Sequence, residues 1–168
     1  EAGIGGASAW NAGAYDPESN VILWGTGQPT PWDRIDPRRA DPDGDVTDDL
    51  YTASWVAIDA DTGELKWHRQ AVPGDEWDLD QHQVPTFATV DWNGTERRVA
   101  IMGSSTGYIY VVDANTGEYL ADHPAFTTAV EGAEYTIVLG YDENGRAIVS
   151  EEARAANQEF QDTFEFYP

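Results

Sequence analysis

Two aspartates near the middle of the chain have the residue type and spacing best suited to chemistry. Asp78 and Asp80 are separated by one residue and follow the apolar ring of Trp77. On a single strand their side chains would point to the same face, because side chains alternate along a strand. Two carboxylates on one face can hold one metal ion, and a carboxylate beside a metal and an apolar ring is suited to general-base work. The alternative is a chance pairing, since 31 of the 168 residues are acidic.

Other motifs with chemical potential are missing from the sequence or have simpler explanations. The histidines show no zinc spacing, and the sequence contains neither a Gly-rich phosphate loop nor Gly-x-Ser-x-Gly. Residues 41–49 (DPDGDVTDD) lack the spacing of an EF-hand, so we interpret them as a solvated loop, with a structural cation site as the alternative. Asn93 and Gly94 are typical of a hairpin turn. Without cysteine, disulfides and thiolate metal sites are excluded within this segment.

The composition restricts the classes of partner. The formal net charge of −22 disfavours nucleic acid and anionic membranes, while the 12% aromatic content argues against a disordered acidic tail. Lys66 is the only lysine, which favours adaptation to high salt; an ordinary acidic secreted protein is the alternative. No run approaches the ~18 apolar residues of a membrane span. The chain begins at Glu1 without an apolar leader, so we expect any targeting signal to lie outside this segment.

Short apolar runs bounded by turn residues predict strands that would position these aspartates. The predicted strands are residues 21–24, 54–58, 86–90, 99–102, 108–112 and 135–139. The one helical stretch is residues 150–158. Many short strands with Gly, Pro and Asn turns indicate an all-β sandwich, barrel or propeller.

An internal repeat favours the propeller. Residues 57–65 (AIDADTGEL) recur as residues 111–119 (VVDANTGEY), with looser copies at residues 15–20 and 141–145. In each copy a strand ends in Asp, whose side chain can accept hydrogen bonds from turn amides, and Gly or Asn supplies positive φ. Repeated antiparallel sheets several tens of residues apart are what a propeller needs. Two unrelated hairpins with a common turn type are the alternative.

The repeat belongs to a longer set of motifs that resembles a known family. Residues 57–67 (AIDADTGELKW) match the tryptophan-docking motif of PQQ-dependent alcohol and methanol dehydrogenases, where PQQ is pyrroloquinoline quinone. Residues 5–10 (GGASAW), 14–17 (AYDP), 24–32 (WGTGQPTPW), 49–51 (DLY) and 73–80 (PGDEWDLD) follow that family in order and spacing. The resemblance is closest over residues 5–120. It implies an eight-bladed β-propeller, of which residues 1–168 supply about three blades.

The resemblance assigns expected roles to individual residues. Trp10 is expected to stack on the quinone ring, with Gly5 and Gly6 allowing close backbone approach and Ser8 reaching a quinone oxygen. Asp78 matches the base that takes the alcohol proton, and it is also an expected metal ligand. Asp80 is a further expected ligand, because lanthanide-dependent members carry Asp where calcium enzymes carry a small residue.

Two positions depart from the family pattern. Gln28 stands where the family has a metal-binding Asn; its amide oxygen is the same ligand on a longer arm. Ser105, in residues 103–107 (GSSTG), stands where the family has Arg or Lys near the quinone oxygens. A cation there would stabilise negative charge on the quinone. Ser105 is therefore a cofactor-site position with altered chemistry.

The resemblance implies a quinoprotein that oxidises a small alcohol. We expect PQQ and a calcium or lanthanide ion as cofactors, a cytochrome-type electron acceptor, and a periplasmic or extracellular location. The remaining blades of the propeller are expected to be partners of this segment, because an isolated arc leaves blade faces uncovered. The alternative is a non-catalytic propeller that has lost its quinone site and serves as a scaffold or binding protein, which the changes at Gln28 and Ser105 favour.

Overall fold

The computed structural model describes residues 6–33, 36, 48–125 and 137–163. Within these ranges the chain forms ten strands and one helix. The elements are β1 (Ala14–Asp16), β2 (Val21–Gly25), β3 (Ser54–Asp59), β4 (Leu65–Gln70), β5 (Thr86–Trp92), β6 (Thr95–Gly103), β7 (Tyr108–Asp113), β8 (Tyr119–Pro124), β9 (Val138–Tyr141), β10 (Ala147–Val149) and α1 (Glu151–Thr163). No described helix is long and apolar enough to cross a membrane.

The strands form antiparallel sheets in chain order. One sheet has the order β1-β2-β3-β4, the next has the order β5-β6-β7-β8, and β9 pairs with β10 in a hairpin. Sequential strands joined by short turns form the up-and-down sheet of a propeller blade. The described residues therefore give two complete four-stranded sheets and a further hairpin, which confirms the all-β, partial-propeller prediction.

The observed elements extend the predicted ones. Five predicted strands lie within β2, β3, β5, β6 and β7. The prediction at residues 135–139 overlaps the start of β9, and its first two residues lie outside the described ranges. Strands β1, β4, β8 and β10 were not predicted, because their burial patterns show little of the regular alternation of a half-buried strand. The helix runs to Thr163, beyond the predicted end at residue 158.

The repeated turn has the predicted hydrogen bonding. Asp59 Oδ1 accepts hydrogen bonds from the backbone N–H groups of residues 61 and 62, and Asp113 Oδ1 accepts the equivalent pair from residues 115 and 116. Gly63 and Gly117 follow with φ of 75° and 71°. The two hairpins are thus copies of one unit.

Trp67 docks the first sheet onto the second. Its ring is 7% exposed, and its Nε1 donates a hydrogen bond to the carbonyl oxygen of Ala114 at 3.0 Å. The ring lies directly on Gly117, where a Cβ atom would come within 2.6 Å of it. A large flat ring packed between two sheets sets their spacing. The tryptophan-docking role expected for this motif is confirmed by these contacts.

A partly buried ion pair also joins the two sheets. The Arg98 guanidinium on β6 donates to both carboxylate oxygens of Asp16, at 3.1 and 2.5 Å. The Asp16 side chain is buried and also accepts hydrogen bonds from Ser19. The hydrogen bond from Arg98 is the main reason that the pKa of Asp16 falls to about 2. Together with Trp67, this pair fixes the two sheets to each other.

The topology places the β1–β2 and β3–β4 turns at the opposite end of the first sheet from the expected site. The β1–β2 and β3–β4 turns lie at one end of the first sheet, because the strands run alternately up and down. The segment before β1, the β2–β3 connection and the β4–β5 connection therefore meet at the other end. The β6–β7 turn lies at the corresponding end of the second sheet. All the sequence-predicted site residues occupy these four segments.

Candidate functional site

The Trp10 indole is the most exposed large flat surface at this end of the sheets. The residue is 58% exposed. One side of its ring system packs on the His82 imidazole, with ring centroids 4.4 Å apart and planes tilted by 33°. Its Nε1 donates a hydrogen bond to Asp80 Oδ2 at 2.9 Å. The indole is thus held at its edge and by a neighbouring ring while much of its surface faces solvent.

Asp80 connects three of the converging segments. Its Oδ2 accepts the indole N–H of Trp10, and its Oδ1 accepts the backbone N–H of Gln28 at 2.7 Å. Only 8% of the residue is exposed. His82 Nδ1 lies 4.0 Å from Oδ2. The carboxylate thus has a fixed orientation, and each oxygen retains a second lone pair for another partner.

Gly27 allows the segment after β2 to approach this carboxylate closely. A Cβ atom on Gly27 would lie 2.8 Å from Asp80 Oδ1 and 2.8 Å from Ser8 Oγ. The Gly27 N–H also donates to the Ser8 carbonyl oxygen at 2.8 Å. Any side chain at this position would push these groups apart. The structure therefore brings Ser8, Trp10, Gln28 and Asp80 together.

Asp78 and Asp80 do not lie on a strand, so the prediction that strand alternation gives them a common face is wrong. They belong to the irregular β4–β5 connection, with left-handed φ values of 62° and 46°. Asp78 is exposed, whereas Asp80 is buried. The two carboxylates still interact. Partial desolvation raises the pKa of Asp78, the charge of Asp80 raises it further, and His82 opposes both effects.

A buried carboxylate that the sequence did not single out shapes this connection. Asp75 is fully buried, and it accepts hydrogen bonds from the backbone N–H groups of Trp77, Leu79 and Asp80 at 2.9, 2.9 and 3.2 Å. Burial raises the pKa of its carboxyl to about 6. By holding the N–H groups on either side of Asp78, Asp75 turns the backbone so that the Asp78 side chain faces outward.

Ser105 contacts a neighbour of the site, Gln83, rather than the cluster of Ser8, Trp10, Gln28 and Asp80. It lies in the β6–β7 turn, and its hydroxyl accepts a hydrogen bond from Gln83 Nε2 at 3.1 Å. Gln83 directly follows His82, the residue that packs on Trp10. Within the described residues, Ser105 makes no hydrogen bond to Ser8, Trp10 or Asp80.

The described residues contain no cluster of three or more His, Cys, Asp or Glu side chains that could hold a metal ion. Among the expected ligands, Asp80 accepts a hydrogen bond from the Gln28 backbone N–H, and its charge acts on Asp78. Gly5 and residues 41–47 of the acidic loop lie outside the described ranges. In the rest of that loop, Asp48 pairs with Arg146 at 2.5 Å.

Two site residues had weak signals in the sequence. His82 showed no metal spacing, and its contact with Trp10 joins residues 72 positions apart in sequence. Asp75 was one acid among 31, and only its burial distinguishes it. Gly27 lies in a motif that did match the family pattern. A glycine is needed there because Asp80, 53 positions later in the sequence, lies too close for a side chain.

The chain matches a known protein family over most of its length. A family model described as the PQQ glucose/ethanol/alcohol dehydrogenase β-propeller domain matches residues 1–134. The quinoprotein alcohol dehydrogenase PedH of Pseudomonas putida is 36% identical over 152 residues, which are 89% of this chain and 23% of PedH. The quinohemoprotein alcohol dehydrogenase of Comamonas testosteroni is 34% identical over 148 residues, which are 88% of this chain and 19% of that protein.

Solved structures show the same fold. The quinohemoprotein alcohol dehydrogenase ADHIIG from Pseudomonas putida HK5 superposes with a TM-score of 0.73 at 36% identity, covering 88% of this chain and 20% of that chain. A europium-containing methanol dehydrogenase gives a TM-score of 0.70 at 23% identity, covering 88% of this chain and 23% of its own, and supports the fold alone. The chain spans about a fifth of the length of the curated relatives it matches.

Proposed function

Because this chain belongs to the PQQ-dependent glucose/ethanol/alcohol dehydrogenase β-propeller family, we propose that it forms part of a quinoprotein that oxidises a small alcohol. We propose that residues 1–168 supply about three blades of one longer propeller. The observation that carries this proposal is the exposed Trp10 indole, fixed through Nε1 to Asp80 beside a second, exposed acid, Asp78.

The residues around Trp10 fit a flat aromatic cofactor. A planar quinone needs a rigid planar floor, and the indole is held at Nε1 by Asp80 and packed against His82. Gly27 keeps the backbone close to Ser8 and Asp80, where a side chain would disrupt the floor. We propose that Trp10 stacks on PQQ, with Ser8 and Ser105 near its polar rim.

The pair of acids fits a hard cation. Asp78 and Asp80 lie close enough for the charge of one to raise the pKa of the other, and a cation between them would relieve this repulsion. Each Asp80 oxygen has a lone pair beyond those used by Trp10 and Gln28. We propose that Asp78, Asp80 and the Gln28 amide oxygen contribute ligands, and that the extra acid Asp80 favours a lanthanide over calcium.

The proposed chemistry assigns the proton step to Asp78. PQQ, when bound with its metal ion, would supply a hydride acceptor with a polarised carbonyl. The Asp78 carboxylate is exposed to substrate, and a carboxylate beside the proposed ion and the apolar Trp77 ring is suited to general-base work. An Asp78 oxygen would take the hydroxyl proton of the alcohol. Asp75 would hold the backbone on both sides of Asp78 during this step.

Several features of the whole protein follow as proposals from the family. We propose a cytochrome-type electron acceptor; one curated relative is named a quinohemoprotein alcohol dehydrogenase and another a lupanine 17-hydroxylase with cytochrome c. We further propose a periplasmic or extracellular location and adaptation to high salt. The salt proposal is supported by the net charge of −22.

Reconstitution tests the proposed function. The complete protein that contains this chain is incubated with PQQ and either Ca²⁺ or La³⁺, and the absorbance of bound quinone and the rate of alcohol oxidation are measured. A bound-quinone band that disappears in Trp10→Ala, and alcohol oxidation that disappears in Asp78→Asn, are expected. No quinone band with either ion would reject the enzyme and leave the scaffold alternative.

The scaffold alternative is favoured by the changes at Gln28 and Ser105. Ser105 stands where the family has a cation, and its hydroxyl already accepts a hydrogen bond from Gln83. Without a positive charge there, a site could bind quinone and still turn over poorly. Bound PQQ without alcohol oxidation under either ion would indicate a catalytically weakened site and would contradict the scaffold alternative, which has lost its quinone site.

A further inference from the structure

Helix α1 contacts the connection that carries Asp78, although the two are more than 70 residues apart in sequence. The helix spans Glu151–Thr163 and begins after Ser150, whose hydroxyl accepts the Ala153 N–H at 3.2 Å. A Ser in this position satisfies a free N–H group of the first turn. Ala153 is fully buried, so this part of the helix is packed against the sheets.

One side chain of the helix makes most of the contact. Arg154 Nη1 donates to Glu76 Oε1 at 2.8 Å, and its Nη2 donates to the Pro73 carbonyl oxygen at 3.2 Å. The Arg154 guanidinium also lies over the Trp77 ring, with its Cζ 5.2 Å from the ring centroid. The Arg154 and Glu76 side chains are only 12% and 2% exposed. Asn157 adds a hydrogen bond to the Glu76 carbonyl oxygen at 3.0 Å.

The contacts of Arg154 and Asn157 and those of Asp75 hold the same short stretch of the chain, residues 73–80. Arg154 and Asn157 bind residues 73, 76 and 77, and Asp75 binds the N–H groups of residues 77, 79 and 80. Asp78 lies directly between these anchored positions. It has a left-handed φ of 62°, a conformation that L residues with a side chain seldom adopt without support.

We propose that Arg154 is a positioning residue for Asp78. The guanidinium donates to the carbonyl of Pro73 and the carboxylate of Glu76 and lies over the ring of Trp77, and so fixes where the Asp78 carboxylate points. Lysine cannot reproduce this, because an ammonium group lacks the planar fork that binds two acceptors and stacks on a ring. This inference rests on the proposed role of Asp78 as the base.

Two measurements on the complete protein test the proposal. Backbone amide hydrogen exchange, followed without cofactor, is compared for wild type, Arg154→Met and Arg154→Lys. Exchange in residues 73–80 is expected to rise in Arg154→Met, with β6 and β7 unchanged and Arg154→Lys intermediate. Turnover per bound PQQ is expected to fall on the order of 10- to 100-fold in Arg154→Met, with KM for the alcohol nearly unchanged, because a misplaced base slows the chemical step.

Normalising to bound PQQ separates positioning from simple loss of folded protein. Arg146→Met is the matched control, because Arg146 also pairs with a carboxylate, that of Asp48, but on an exposed surface. It is expected to match wild type in both measurements. If Arg154→Met does not fold, Arg154→Lys supplies the same comparison.

Each outcome has a defined meaning. Unchanged exchange in residues 73–80, or wild-type turnover per bound PQQ in the Arg154 variants, would overturn the positioning role. Failure of the wild type to bind PQQ would instead reject the proposed function. In that case, the exchange measurement would still decide whether Arg154 holds the segment.

Discussion

Asp80 offers the sharpest perturbation of the site, because its two oxygens hold two different segments. In Asp80→Asn only one acceptor oxygen remains, and the amide NH₂ faces either the Trp10 Nε1–H or the Gln28 N–H. Losing a hydrogen bond to a charged acceptor costs about 1.5–3 kcal/mol. If the oxygen stays with Gln28, where the distance is the shorter 2.7 Å, Trp10 loses its anchor.

The expected consequence is weaker binding of PQQ. If this whole free-energy loss appears as poorer orientation of the Trp10 indole, the affinity for PQQ decreases about 10- to 100-fold. Calorimetric titration of metal-free protein with PQQ measures this effect without contributions from metal ligation. Asp78→Asn is the control, because Asp78 is exposed and makes no hydrogen bond to Trp10 in the described structure; its affinity is expected to stay within about twofold of wild type. Equal affinities for Asp80→Asn and wild type would refute the anchoring role.

The same residue tests the proposed ion preference. A trivalent ion gains more than a divalent one from an additional carboxylate. Asp80→Ala is therefore expected to reduce La³⁺-supported activity far more than Ca²⁺-supported activity. An equal loss with both ions would reject the lanthanide assignment.

Three further predictions concern the stability of the frame, measured by chemical denaturation of the complete protein. Gly117→Ala forces a side chain into the docked Trp67 ring at a φ of 71° and is expected to cost about 2–5 kcal/mol of stability. Gly63→Ala is the control, because Gly63 has a similar φ of 75° but open space around it, and it should cost about 1 kcal/mol. Equal costs would contradict the docking. Asp16 has a lowered pKa of about 2, so its ion pair stabilises the fold above pH 4 and is lost toward pH 2. Asp16→Asn should therefore lower the free energy of unfolding by about 2 kcal/mol at pH 7. A difference between variant and wild type that does not change with pH would exclude the ion pair as its cause. Asp75 has a raised pKa of about 6, so its ionisation should destabilise the wild type as the pH rises from 4 to 7. Over this range the free energy of unfolding of the wild type should fall by about 3 kcal/mol relative to that of Asp75→Asn. If the two free energies of unfolding change with pH in parallel, the raised pKa is wrong.

The sheets were predictable because their signals are local. Strand β3 and the turn that follows it contain a short apolar run, an Asp and a Gly in sequence, and the structure gives them the expected hydrogen bonds. The docking of Trp67 was expected through the family resemblance, because residues 57–67 match its tryptophan-docking motif. The convergence of Trp10, Gln28 and Asp80 was expected only through the family resemblance, since their contacts join distant segments.

The β4–β5 connection could not be predicted from local pattern. The spacing of Asp78 and Asp80 suggested a strand, but the buried Asp75 carboxylate draws three backbone N–H groups toward itself and turns both residues into left-handed conformations. The energy of those contacts overrides the periodicity. Arg154 reaches the same connection from a distant helix, a tertiary contact with no counterpart in the spacing of residues.

A crystal structure of the complete protein with PQQ and La³⁺ tests the proposed site most directly. The proposal predicts the quinone stacked on the exposed side of Trp10 and the ion about 2.3–2.6 Å from oxygens of Asp78 and Asp80. A quinone bound away from Trp10, or an ion that touches neither acid, would contradict it.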